Sequence, residues 1–141
     1  MADPITGSGA ALAVAASALR AQQARMRVIA ENMANADSVS KTPGGDPYRR
    51  RIVTFTSELD RSIGADVVKL GQVQTDNSDF QIKHEPGNPA ANSQGDVKYP
   101  NVNSLVELTD LRDAQRSYEA NLNVITATRR MLQRTLDILK S

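Results

Sequence analysis

"SLVELTDLRDAQRSYEANLNVITATRRMLQRTLDILK", residues 104–140, repeats its apolar side chains at alternating intervals of three and four. Leu108, Leu111, Gln115, Tyr118, Leu122, Ile125, Arg129, Leu132, Leu136 and Leu139 fall on one seam over about five heptads. The run opens on Ser104-Leu105-Val106-Glu107, a capping box in which the Ser hydroxyl and the Glu carboxylate each accept a hydrogen bond from an otherwise orphaned backbone N–H. The pattern predicts one helix over 105–140, roughly 54 Å long at about 1.5 Å per residue, several times the usual globular helix of about 11 residues. A stripe of that length outruns anything that a chain of 141 residues can lay against it. The helix therefore calls for partner chains.

The opposite end carries a second helical pattern. Large apolar residues recur every seven positions at Ile5, Leu12, Leu19, Met26 and Met33, the spacing that keeps one seam against a partner helix. The alternate seam positions are small or polar (Ser8, Ala15, Gln22) until Ile29, and Ala10, Ala11, Ala13, Ala16, Ala18, Ala21 and Ala24 fill the surrounding faces, so helices can approach closely on more than one side. Asp3-Pro4 supplies a cap and first turn, which Gly7 and Gly9 weaken.

Between the helices, short alternations bounded by turn residues read as strands or extended loops: Arg51 to Phe55, Val67 to Leu70, and Phe80 to His84, where Phe80, Ile82 and His84 share a face. Glu85 to Asp96, with two prolines and two glycines, reads as loop. The expected fold is mainly α: long N- and C-terminal helices packed as a coiled-coil-like pair, with a small β- and loop-rich middle. The expected division is 1–36, 37–103 and 104–141.

Charge and composition exclude several functions. The formal net charge is +1. Residues 1–36 carry 3 basic and 2 acidic side chains, 37–100 carry 8 and 9, and 101–141 carry 6 and 5. No segment is the polycation that phosphate neutralisation needs, which argues against a general nucleic-acid or anionic-membrane binder. There is no cysteine, so no disulfide or thiolate metal site, and one histidine, His84, so no multi-histidine site within one chain. The first basic residue is Arg20, behind an Ala/Gly-rich stretch, unlike a Sec signal. No run of about 18 apolar residues spans a membrane.

Individual candidates are weighed against plain structural roles. His84 lacks a motif-level nucleophile or carboxylate partner and reads as an edge residue. Asp76, Asn77 and Asp79 lack the central Gly and terminal Glu of a calcium loop and read as a solvated turn. Gln115 and Arg129, polar positions inside the seam, read as register-setting. Arg49-Arg50-Arg51 can grip phosphate or pair with carboxylates of a neighbouring chain, but no aromatic stacking platform accompanies it.

The segment "NMANADSVSKTPGGDPYRRR", Asn32 to Arg51, adds a resemblance. Ala34-Asn35, Thr42-Pro43-Gly44 and Tyr48-Arg49-Arg50 are similar to the segment that follows the N-terminal helix in the flagellar axial rod and hook protein family, with a spacing most like its proximal rod members. "PGNPAANSQGDVKYPNVNSLVELTDL" from Pro86 and "AQRSYEANLNVITATRRMLQRTLDILK" from Ala114 agree with the C-terminal half of that type; Glu58 to Gln81 carries no matching motif. The resemblance implies a structural rod subunit without enzymatic activity, cofactor, metal, small-molecule substrate or nucleic acid. It would be exported unfolded by the flagellar type III apparatus, without a cleavable signal, and built into a torque-transmitting helical tube in the periplasm. The implied partners are other copies of itself, other rod proteins and the adaptor region between the MS ring and the rod. The terminal helices would form its inner helical domain. The expected subunit interface comprises Leu12, Leu19, Met26, Met33, Asn35, Tyr48, Arg49, Arg50, Tyr118, Leu122, Ile125, Arg129, Leu132 and Leu136. Two other readings compete: a two-helix adaptor binding one helical partner, and a small enzyme built on His84.

Overall fold

A computed structural model describes residues 4–140. The elements run α1 (Pro4–Ala34), β1 (Arg51–Asp60), β2 (Ala65–Thr75), β3 (Gln81–His84), β4 (Asp96–Tyr99) and α2 (Ser104–Lys140). Two long helices thus bracket a small β middle, as the two apolar periodicities require. The Asp3 cap and the Ile5 side chain lie outside what is described.

The middle holds two separate two-stranded sheets, β1 with β2 and β3 with β4. The β1–β2 turn is written into Asp60: its backbone oxygen accepts from the N–H of Gly64 at 2.9 Å, and its carboxylate accepts from the N–H and hydroxyl of Ser62 at 2.9 and 2.6 Å. Gly64 closes the turn at φ 63°, a left-handed conformation that glycine adopts without steric cost. β4 was not expected from its sequence. It pairs antiparallel with β3, in the register Gln81↔Tyr99, Ile82↔Lys98, Lys83↔Val97 and His84↔Asp96. The face shared by Phe80, Ile82 and His84 lies largely open: every residue of β3 is exposed, Ile82 at 66%, and Phe80 before it is half-buried. Four residues are too short a strand for alternation to say which partner brings the buried side chain; it is Val97 on β4.

The chain forms two compact units. One gathers the described parts of Met1–Met26, Thr54–Gly71 and Asp113–Ser141; the other gathers Arg27–Val53 and Gln72–Arg112. In the first, the most buried positions are small: Ala15, Ser17, Ala21 and Ala114. Their size lets backbone approach backbone, and the Ser17 hydroxyl accepts the N–H of Val68 on β2 at 3.1 Å while donating to the Val14 carbonyl at 2.7 Å. The alanine-rich face of α1 therefore admits a strand. The large heptad residues Leu12, Leu19, Met26 and Met33 are only half-buried. In the second unit the buried set is Val28, Ile29, Ala90, Val97, Pro100 and Val102, together with two polar side chains, Asn32 and Glu107.

Candidate assembly surface and the network that anchors it

The bend after α1 is built from backbone groups that the helix leaves open. A helix end exposes its last carbonyls, and here the Asn35 amide donates to the Glu31 carbonyl at 2.8 Å while the Ser38 hydroxyl donates to that of Asn35 at 2.9 Å. The Thr42-Pro43-Gly44-Gly45 turn then closes through the Gly45 N–H on the Thr42 carbonyl, 3.1 Å. A side chain at Gly45 would sit 2.3 Å from the Ser40 hydroxyl, so the second glycine is a matter of space. Gly44 N–H reaches the Ala90 carbonyl at 3.0 Å, tying the bend to the loop before β4.

Tyr48 to Arg51 next meet Asn32. Its side-chain oxygen accepts from the Tyr48 hydroxyl at 2.8 Å and the Arg51 N–H at 2.9 Å; its nitrogen donates to the Arg51 carbonyl at 2.9 Å and to Glu107 Oε2 at 3.1 Å. Both donors and both acceptor positions of the amide are filled, and Asn32 serves the first residue of β1 as a neighbouring strand would. The other oxygen of Glu107 accepts from Nε of Arg50. Arg50 also reaches Asp110 at 3.4 Å and Asp76 at 3.6 Å, and its backbone N–H donates to Asn101 Oδ1 at 2.8 Å. Asn101 in turn donates to the Asp76 carbonyl at 3.0 Å.

The charges follow this geometry. Burial alone would lower the pKa of Arg50, but the hydrogen bond and charge of Glu107, with Asp110 and Asp76, outweigh it and leave the guanidinium raised. Burial raises the Tyr48 phenol. Hydrogen bonds from the backbone and hydroxyl of Ser78 hold Asp76 below the usual carboxylate range.

The arginine run thus divides into three. Arg50 is the half-buried anchor, Arg49 lies over the Phe80 ring at 4.0 Å, and Arg51, 53% exposed, faces Glu31 at 3.5 Å. The capping box is a correction of the same kind. The cap of α2 is Asn103, whose side-chain oxygen accepts from the N–H of Leu105 at 3.0 Å and of Val106 at 3.4 Å. Glu107 turns inward to Arg50 and Asn32. Nothing in the spacing S-x-x-E separates these two uses, and the cue available was an Asn one position earlier, itself a strong cap former.

On α2 the seam splits. Leu111, Tyr118, Ile125 and Leu132 are half-buried, whereas Leu108, Gln115, Leu122, Arg129, Leu136 and Leu139 are exposed. Val124, Met131 and Ile138, seven apart, form a second exposed row that the seam did not include. Ala127, Arg130, Met131, Arg134, Thr135 and Ile138 line an open groove of about 440 Å³.

His84 pairs with Asp96 at 2.9 Å on an exposed hairpin. A carboxylate partner is therefore present, contrary to the sequence reading, but it is the cross-strand neighbour of an imidazole that is 68% exposed. Among the described residues no cluster of His, Cys, Asp and Glu could hold a metal ion, and no helix is long and apolar enough to cross a membrane.

Known proteins place this architecture. Residues 12–40 match the model for flagella basal body rod proteins, and residues 93–138 match that for the C-terminal region of flagellar basal body rod FlgEFG proteins. The flagellar basal-body rod protein FlgC of Agrobacterium fabrum is 50% identical over 139 residues, covering 99% of this chain and 98% of the relative. The chain belongs to the FlgC family of flagellar basal-body rod proteins. FlgC of Bacillus subtilis is 40% identical, covering 92% of this chain and 96% of that one, and FlgC of Salmonella typhimurium is 39% identical, covering 89% and 92%. The matched N-terminal region spans most of α1 and the start of the bend; the C-terminal one contains β4, Glu107 and nearly all of α2. Membership makes the chain a structural subunit of the basal-body rod and not an enzyme.

Proposed function

We propose that the terminal helices of many copies pack side by side, coiled-coil fashion, into the wall of a tube that transmits torque, with 1–36 and 104–141 as its inner helical domain and 37–103 as the bend and outer segment. The observation that carries this reading is the pair of exposed apolar rows on a helix of 37 residues. Large apolar side chains left exposed at a regular seven-residue spacing mark a contact site. Leu12, Leu19, Met26 and Met33 on α1, with Tyr118, Leu122, Ile125, Leu132 and Leu136 on α2, supply the contacts. Asn35, Tyr48, Arg49 and Arg50 support them by fixing the bend, and Arg129, a polar position inside the seam, sets register.

The same reading takes the subunit through the type III export apparatus as an unfolded chain into the periplasm, where it joins its own copies, other rod proteins and the adaptor region at the MS ring. An absence of cysteine suits a compartment that oxidises thiols. Electron microscopy of basal bodies from cells carrying Leu122→Asp with Leu136→Asp tests the proposal. Basal bodies lacking a rod are expected, with the secreted subunit accumulating unassembled. Complete rods of normal length would sink it. A discrete complex with one helical partner would favour an adaptor instead.

A further inference from the structure

We propose that the Asn32–Tyr48–Arg50–Glu107 network is a conformational latch that closes within a single chain, before any neighbour is present, and orders the end of α1, the bend and the first turns of α2 as one all-or-none unit. All four residues lie in the same compact unit. Their contacts join positions 16, 57 and 75 apart in sequence. No one of the three segments can make its own share of these bonds alone.

The chemistry makes partial closure unfavourable. Glu107 has no solvent exposure at all, so its carboxylate needs both Arg50 and the Asn32 amide before it leaves water. Asn32, 1% exposed, likewise needs Tyr48 and Arg51 in place to fill its acceptor. Burying either group ahead of its partners leaves an unpaired polar atom, the most costly intermediate available to a small domain. The latch is complete without a second molecule, because every hydrogen-bonding position of Asn32 and both oxygens of Glu107 are met from within the chain. Its bonds involve none of the exposed apolar side chains of α2, and so it holds whether or not those rows form the tube.

Amide hydrogen exchange of the full-length monomer at high dilution tests this. In the wild-type chain, segments 28–35, 48–53 and 102–110 should be protected at least about a hundredfold over free-chain rates and should open together. Arg50→Ala should speed exchange in all three by a common factor of about tenfold or more, while Arg51→Ala leaves them within about twofold. If Arg50→Ala does not fold, the paired change Arg50→Gln with Glu107→Gln decides. It removes both charges, keeps an acceptor for Asn32 and lets the amide oxygen at position 50 accept from the amide nitrogen at position 107, and should return protection to within about threefold of wild type. Unprotected segments in the wild-type monomer, acceleration confined to the segment carrying the change, or a paired variant no better protected than the single one would each overturn the latch.

Discussion

Nε of Arg50 lies on Oε1 of Glu107 across 57 positions of sequence, with the carboxylate wholly out of solvent. Removing the cation alone leaves a buried, uncompensated charge. Arg50→Ala should therefore cost about 3–5 kcal/mol in urea or thermal unfolding of the purified chain. A loss below about 1 kcal/mol would mean that water reaches Glu107 as soon as the arginine is gone.

The two flanking arginines should behave differently. Arg51→Ala removes an exposed and loose ion pair with Glu31 and should change stability by less than about 0.5 kcal/mol. Arg49→Ala removes a cation from the Phe80 ring and should cost about 0.5–1 kcal/mol. Equal effects at all three positions, by the same unfolding measurement, would contradict the division of the run.

Leu122 is 46% exposed in the isolated chain, so Leu122→Asp should leave subunit stability within about 0.5 kcal/mol. In an assembled wall the same carboxylate meets neighbouring helices without a partner, at several kcal/mol per contact. Swimming on soft agar should be lost while the purified variant melts normally. Motile cells would show that this row touches nothing.

Acid should weaken the folded chain. Hydrogen bonds from Ser78 hold Asp76 low, those from Asn88 and then Tyr99 hold Glu85 low, and Lys98 does the same for Asp46. A depressed folded pKa contributes stability that is complete above the ordinary values, 3.8 for Asp and 4.5 for Glu, and that disappears as pH falls through the folded value. Unfolding midpoints should be flat from neutral pH down to about 5 and fall below about 4. Asp76→Asn should flatten part of that descent. A midpoint indifferent to acid would show the carboxylates to be unpaired in solution.

His84→Ala removes an exposed imidazole from its cross-strand Asp96. The expected cost is under about 1 kcal/mol, with motility retained. Cells that build complete rods but do not swim would point to a role for His84 outside packing.

Periodicity made the helices legible, because an apolar repeat reports burial or assembly directly. Leu122 and Ile125 belong to one seam in sequence, yet only Ile125 turns inward in the single chain; a seam says that a face is wanted, not by whom. Asn32 and Glu107 were hidden for a different reason. Buried polar residues are specified by partners far away in sequence, here at 16, 19, 57 and 75 positions, and no local pattern carries that information. The bend was visible through its glycines, whereas its attachment to Ala90 by one backbone hydrogen bond was not, since any residue can supply a carbonyl. β4 escaped notice because its four residues carry too little alternation to read.

Along α2 the hydroxyls of Thr109, Thr126, Thr128 and Thr135 all donate to carbonyls of their own helix, four residues back, at 2.9 to 3.0 Å. A hydroxyl turned inward in this way places no directional demand on whatever comes against the helix. The threonines therefore add adhesion without register, and on the exposed seam the directional groups left are those of Gln115 and Arg129. A neighbour laid along this helix would read its alignment from those two side chains and not from the hydroxyls between the apolar positions.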